Sequence, residues 1–212
     1  MKAMHFLAAL AFTALAAAPV LAQPAPMPTR PNALAEFPPK NGADLTVSTP
    51  SFGDDGDIPF ENTQYRGNTF PGLAWTAGPP ETKSYAIIMQ DTDGKMNGAP
   101  ILHWTMYNVP ASVTKLDPGM PAAGKPEGSE YGPNARGSEQ PYMGPRTPPG
   151  PKHHYHLQVF ALDTLLNPDP AMTYDTLTAQ MRDHILASGE VVGLAMADPQ
   201  AALRPASPPP AR

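Results

Sequence analysis

Proline is the residue that most constrains this chain. Thirty prolines occur in 212 residues, well above the usual ~5%. Eighteen of them fall between Ala43 and Asp198. Proline has no N–H and its ring clashes with the preceding turn, so many long helices cannot survive that density. Strands joined by irregular loops can, and a mainly β domain with long connections is expected. The remaining prolines gather at the ends. Residues 23–39 and 199–212 are rich in Pro and Ala and read as extended, mobile flanks. The expected organisation is one folded domain over residues 43–198, a flexible leader over 23–42 and a flexible tail over 199–212.

The first 22 residues read as a secretory signal peptide. Lys2 supplies the positive start, the run from Phe6 to Ala18 is apolar apart from Thr13, and Val20-Leu21-Ala22 gives a small-residue cleavage site before Gln23. The apolar run is shorter than the roughly 20 residues of a spanning helix. A periplasmic or secreted protein with no membrane segment after cleavage is therefore expected. The chain has no cysteine, so neither a disulfide nor a lipid-modified cysteine can form, and stability must come from packing. A net charge of -5 argues against nucleic acid as a partner, because phosphate neutralisation needs a basic face.

Four segments carry strong strand character: Ser84 to Gln90, Ile101 to Val109, His154 to Leu162 and Glu190 to Ala197. Leu45 to Ser48 and Leu73 to Trp75 are shorter candidates, and Gly53 to Asp57 has turn chemistry. One helix is expected. Thr173 caps it, Leu177, Met181 and Ile185 form one apolar stripe, and Gly189 supplies the left-handed stop. Pro118 to Gly150 is crowded with Gly and Pro. A loop that long in a compact domain usually lines a site.

The chemistry-bearing residues sit at strand ends. Asp91 and Asp93 follow the Ser84 strand, His103 lies in the next, and His153, His154, Tyr155 and His156 open the third. Alternation puts His153 and Tyr155 on one face, continued by Leu157 and Val159, at the rim of a core. It sends His154 and His156 to solvent or a second sheet. A carboxylate beside an imidazole favours the charged ring, and a cationic histidine with a tyrosine hydroxyl suits a phosphate, sulfate or carboxylate group. The plainer alternative makes His103 a satisfied core histidine and Asp91 a turn residue. A calcium loop at Asp91 to Lys95 lacks an oxygen ligand at Lys95. No zinc spacing, G-x-S-x-G or phosphate loop occurs, and no metal or cofactor is expected.

At these residues the chain resembles the phosphatidylethanolamine-binding proteins, most closely their bacterial, Raf-kinase-inhibitor-like branch. Matching blocks follow in the family's order: Phe52 to Pro59, Asn68 to Trp75 (NTFPGLAW), Ser84 to Asp93, and His103-Trp104 with Tyr107 to Pro110. Tyr142 to Tyr155 (YMGPRTPPGPKHHY), Phe160 to Asp163, the helix, and Ala187 to Glu190 complete the series. The resemblance implies a β-sandwich of mostly antiparallel strands with a C-terminal helix, and a shallow pocket for phosphate-like head groups and small anions. It assigns Asp91, His103, His153 and Tyr155 to that pocket and Pro148 and Pro149 to its rim. Thr92 stands where the family has proline, Gly94 where it has alanine, and Arg146-Thr147 where small or Cys-Pro residues are common, so that Arg146 is expected to add a cation to the pocket. Bacterial members are often homodimers. The expected function is non-catalytic binding or inhibition. The alternatives are a weak phosphoesterase or other hydrolase using Asp91 and His103, and a protease-inhibitor-type module acting through the 118–150 loop.

Overall fold

The computed structural model describes residues 30–120 and 124–201. The expected signal peptide and most of the expected tail lie outside these residues. In chain order the elements are α1 (Ala33–Glu36), β1 (Ala43–Asp44), β2 (Val47–Ser48), β3 (Gly56–Asp57), a 3-10 turn (Phe60–Asn62), β4 (Leu73–Trp75), β5 (Ser84–Met96) and β6 (Ala99–Pro110). There follow β7 (Lys115–Leu116), β8 (Glu130–Tyr131), β9 (His153–Leu162), α2 (Tyr174–Met181) and β10 (Ile185–Ala195).

Seven strands form one sheet in the order β1-β10-β9-β5-β6-β8, with β3 also pairing to β10; β2, β4 and β7 form a second, smaller sheet. The central pairs β6–β5, β5–β9 and β9–β10 are antiparallel, while β1 and β3 run parallel to β10. The small sheet covers one face of the large one. Leu73, Trp75 and Leu116 from the small sheet join Ile87, Met89, Trp104, Leu157 and Val159 from the large one in a single core. The helices cover the other face, where Leu177, Met181, Ala33 and Phe37 pack on Ile88, Leu102 and Phe160. The central strands are thus buried on both sides, which is why Ser84 to Gln90 reads as an almost continuous apolar run instead of an alternating one. A mainly β sandwich with a C-terminal helix is the architecture observed.

Three local expectations are corrected. The leader does not stay mobile as far as residue 42. Ala33 and Phe37 are fully or nearly fully buried, and the N–H groups of Ala33 and Leu34 donate to the amide oxygens of Gln90 and Gln158 at 2.8 and 2.6 Å. Those two glutamines are buried and would lack these donors without the segment. Next, α2 does begin at the Thr173 cap, with a reciprocal Thr173–Thr176 capping box, but it ends at Met181. Ile185 already belongs to β10, and Gly189 sits inside that strand opposite Val159. Gly189 is needed for close approach of backbones and not for a helix stop. A Cβ there would lie 2.0 Å from the Leu45 carbonyl oxygen. Finally, Gly56 and Asp57 form a two-residue strand on β10 where a turn was expected.

Candidate functional site

Two irregularities in the β5–β6 hairpin build the site. The hairpin turns at Asn97 and Gly98, both with positive φ, a sequence suited to a tight turn. Below that turn the register slips between Asp91 and Lys95. Thr92, Asp93 and Gly94 bulge away from the ladder, and the Asp91 Oδ1 atom accepts the N–H groups of Asp93 and Gly94 at 3.0 and 2.8 Å. A second slip pairs Met89 with Trp104 but Gln90 with Leu102. His103 is the extra residue. Such a bulge re-aims a side chain. Here it lets His103 and Trp104, adjacent in sequence, both reach the inner face of the sheet.

On that face Asp91 lies opposite Tyr155 across β5 and β9. His153, two residues before Tyr155, donates through Nδ1 to the second oxygen of Asp91 at 2.8 Å. The Asp91 carboxylate is therefore buried but accepts three hydrogen bonds. The His103 ring stands edge-on to the Tyr155 ring, with centroids 5.0 Å apart. Its Nδ1 bonds the Met143 carbonyl at 2.9 Å. The Tyr155 hydroxyl meets the Thr147 hydroxyl at 3.0 Å, and the Thr147 carbonyl accepts from Tyr65. Burial pushes the Tyr155 hydroxyl well above the usual tyrosine range, so it stays protonated and able to donate.

Asp91, His103, His153 and Tyr155 thus come together as expected. Pro148 and Pro149 are exposed and follow Thr147 directly. The charge assignment is corrected. Burial drives His103 toward its neutral form, against the pull of the Met143 carbonyl and the Asp91 charge. Asp91 gives its direct hydrogen bond to His153 instead. His154 and His156 leave the cluster, as alternation requires: His154 bonds Asp93 at 2.8 Å, and His156 bonds Glu190 at 2.9 Å and Thr92 at 3.1 Å. Arg146 is exposed, 5.9 Å from the centroid of the Tyr65 ring.

The segment between Pro118 and Gly150 contributes more than a rim. Tyr142, Met143 and Thr147 are buried, and Gln64 binds the carbonyls of Gly144 and Pro145. Met143 and Thr147 were missed as contributors. A backbone carbonyl has no signature in sequence, and Thr147 stands out only as a departure from the family pattern. A cavity of about 690 Å³ lined by Asn68, Met120, Tyr131 and Tyr142 contains none of the expected site residues. The convergent polar groups are at the Asp91 cluster, and those decide the candidate site.

The burial of His103 has a measurable consequence. Its folded-state pKa lies below the ordinary 6.5, so the unfolded chain binds the proton more readily. The stability that depends on neutral His103 is complete above pH 6.5 and is lost as pH falls below it. Urea midpoints measured from pH 8 to pH 5 are expected to fall more steeply in the native chain than in His103→Gln, whose amide can still donate to Met143. Parallel profiles would show that this ring does not set the acid limit.

The comparisons with known proteins give the family and the fold. The Phosphatidylethanolamine-binding protein family model matches residues 48–196. The chain belongs to the phosphatidylethanolamine-binding protein family. A UPF0098 protein of Methanothermobacter thermautotrophicus is 34% identical over 151 residues, 71% of this chain and 97% of that protein. YbcL of Escherichia coli is 38% identical over 131 residues, 59% of this chain and 65% of that protein. The crystal structure of E. coli YbcL, described as a new member of the mammalian family, superposes with a TM-score of 0.66 and 26% identity, covering 74% of this chain and all of that one. A phosphatidylethanolamine-binding protein homologue from Chlamydia trachomatis gives a TM-score of 0.65 at 26% identity, covering 73% of this chain and 99% of that one. The α1 segment precedes the part of the chain that the family model matches.

Proposed function

We propose that this family member is an exported, non-catalytic binding protein that takes small oxyanions or phosphate-type head groups at the Asp91–His103–His153–Tyr155 cluster. The observation that carries the reading is the convergence of those four side chains on one face at the end of the large sheet, where two register slips assemble them. Their hydroxyl and imidazole groups can make several directional hydrogen bonds to one tetrahedral group. Export is supported by the Lys2-to-Ala22 pattern. A hydrolase would need Asp91 and His103 to act as a pair on water. Here His103 Nδ1 is taken by Met143 and Asp91 by His153, an arrangement that favours binding.

Thermal unfolding of the mature chain in inorganic phosphate tests this. The melting temperature is expected to rise with phosphate concentration by mass action, and His153→Ala should remove the rise. No rise with phosphate or phosphorylated head groups, or an equal rise in the variant, overturns the reading. Turnover of phosphatase or esterase substrates that disappears in Asp91→Asn would establish the hydrolase instead.

A further inference from the structure

Resting on that reading, the ring of His103 says which oxyanion the pocket can accept. Its Nδ1 lies 2.9 Å from the Met143 carbonyl oxygen. A carbonyl only accepts, so Nδ1 carries the hydrogen, and the other nitrogen of a neutral ring, Nε2, is a bare acceptor. Nε2 makes no hydrogen bond among the described residues, and the Gly144 carbonyl is a second backbone acceptor beside the ring. The charged and titratable groups around the ring are few. Asp91 on β5 favours a charged ring, and Arg136, beyond β8, opposes it. Tyr155 on β9 presents its ring, while its hydroxyl is engaged by Thr147. Burial outweighs the groups that would charge the imidazole.

We propose that the pocket selects oxyanions that bring their own hydrogen, a P–OH that donates to Nε2 of His103. Inorganic phosphate keeps one O–H through neutral pH. Sulfate has the same tetrahedral shape and none. A phosphodiester has none either. A phosphomonoester regains one only as pH falls toward its second pKa of about 6. An acceptor buried against a ligand that cannot donate is left unmet. That mismatch is expected to cost sulfate about tenfold or more in affinity.

The test is calorimetric titration of the mature chain with sodium phosphate, sulfate, methyl phosphate and dimethyl phosphate. Near neutral pH, phosphate is expected to bind at least about tenfold more tightly than sulfate or dimethyl phosphate. Methyl phosphate should gain affinity between about pH 8 and pH 6, as it protonates. His103→Gln, whose amide can donate, should bring the phosphate-to-sulfate ratio toward one. Equal binding of phosphate and sulfate overturns this inference and leaves the anion pocket standing. No binding of any of the four overturns the pocket itself. Nitrogen-15 spectra of the histidines give a second measurement that needs no variant: Nε2–H in place of Nδ1–H in the free protein would also overturn the inference.

Discussion

Asp91→Ala is expected to lower the unfolding free energy by about 3 kcal/mol and to abolish phosphate-induced stabilisation. Asp91 is buried, yet both carboxylate oxygens are in use. One holds the Asp93 and Gly94 amides and the other holds His153. Hydrogen bonds to a charged group are each worth about 1.5–3 kcal/mol, and the gain is offset in part by release of a desolvated carboxylate. Alanine leaves two backbone donors and the His153 Nδ1–H without their acceptor, and the bulge that shapes the pocket loses its brace. Asp91→Asn separates the two roles. Its oxygen can still hold both amides, but its NH2 group faces His153. It is expected to cost only about 1 kcal/mol, because His153 can adopt the other tautomer. Urea unfolding of the three proteins measures the stabilities. A loss below about 1 kcal/mol in Asp91→Ala would show that the carboxylate does not hold this turn.

Gly189→Ala is expected to cost about 3 kcal/mol or more, beyond the usual range for overpacking. The added methyl would sit 2.0 Å from the Leu45 carbonyl oxygen and 2.9 Å from the Leu45 carbonyl carbon. Both are main-chain atoms. Leu45 donates its own N–H to the Ser188 carbonyl, so this backbone cannot step aside without opening the edge of the sheet. Gly53→Ala is the control. It has no atom within 4 Å of a built Cβ and needs no positive φ, and is expected to fall within about 0.5 kcal/mol of the native chain. Equal effects of the two substitutions would refute the close-approach account of Gly189.

The two alanine substitutions also mark where sequence reasoning stopped. Glycine near the end of an apolar stripe has the local appearance of a helix stop, and Ile185 extends that stripe by four. The decision went instead to pairing. Residues 185–195 find a ladder on β9 along their whole length, and burial of a strand on both faces outweighs a short helical extension. The leader follows the same logic. Its Pro and Ala content signals mobility, yet Phe37 finds a helix-covered sheet face to fill, and two buried glutamines need its N–H groups. Neither partner is local in sequence, so no window along the chain reveals the contact.

The sequence by itself determined the fold class and the family, and named the residues of the candidate site. Proline density excluded a helical bundle. Ordered blocks from Phe52 to Glu190 identified the family. Strand alternation placed His153 with Tyr155 and sent His154 and His156 away. These follow from steric rules and side-chain period, which act between neighbours along the chain. Only the tertiary structure decided who pairs with whom. It gave Asp91 to His153 instead of His103, brought the Met143 carbonyl to the His103 ring, and buried that ring, which drives it toward its neutral form. The reason is that a register slip of one residue changes which face a side chain occupies, and hydrogen-bond partners and desolvation depend on atoms far apart in sequence. Proline count and strand period carry no record of either.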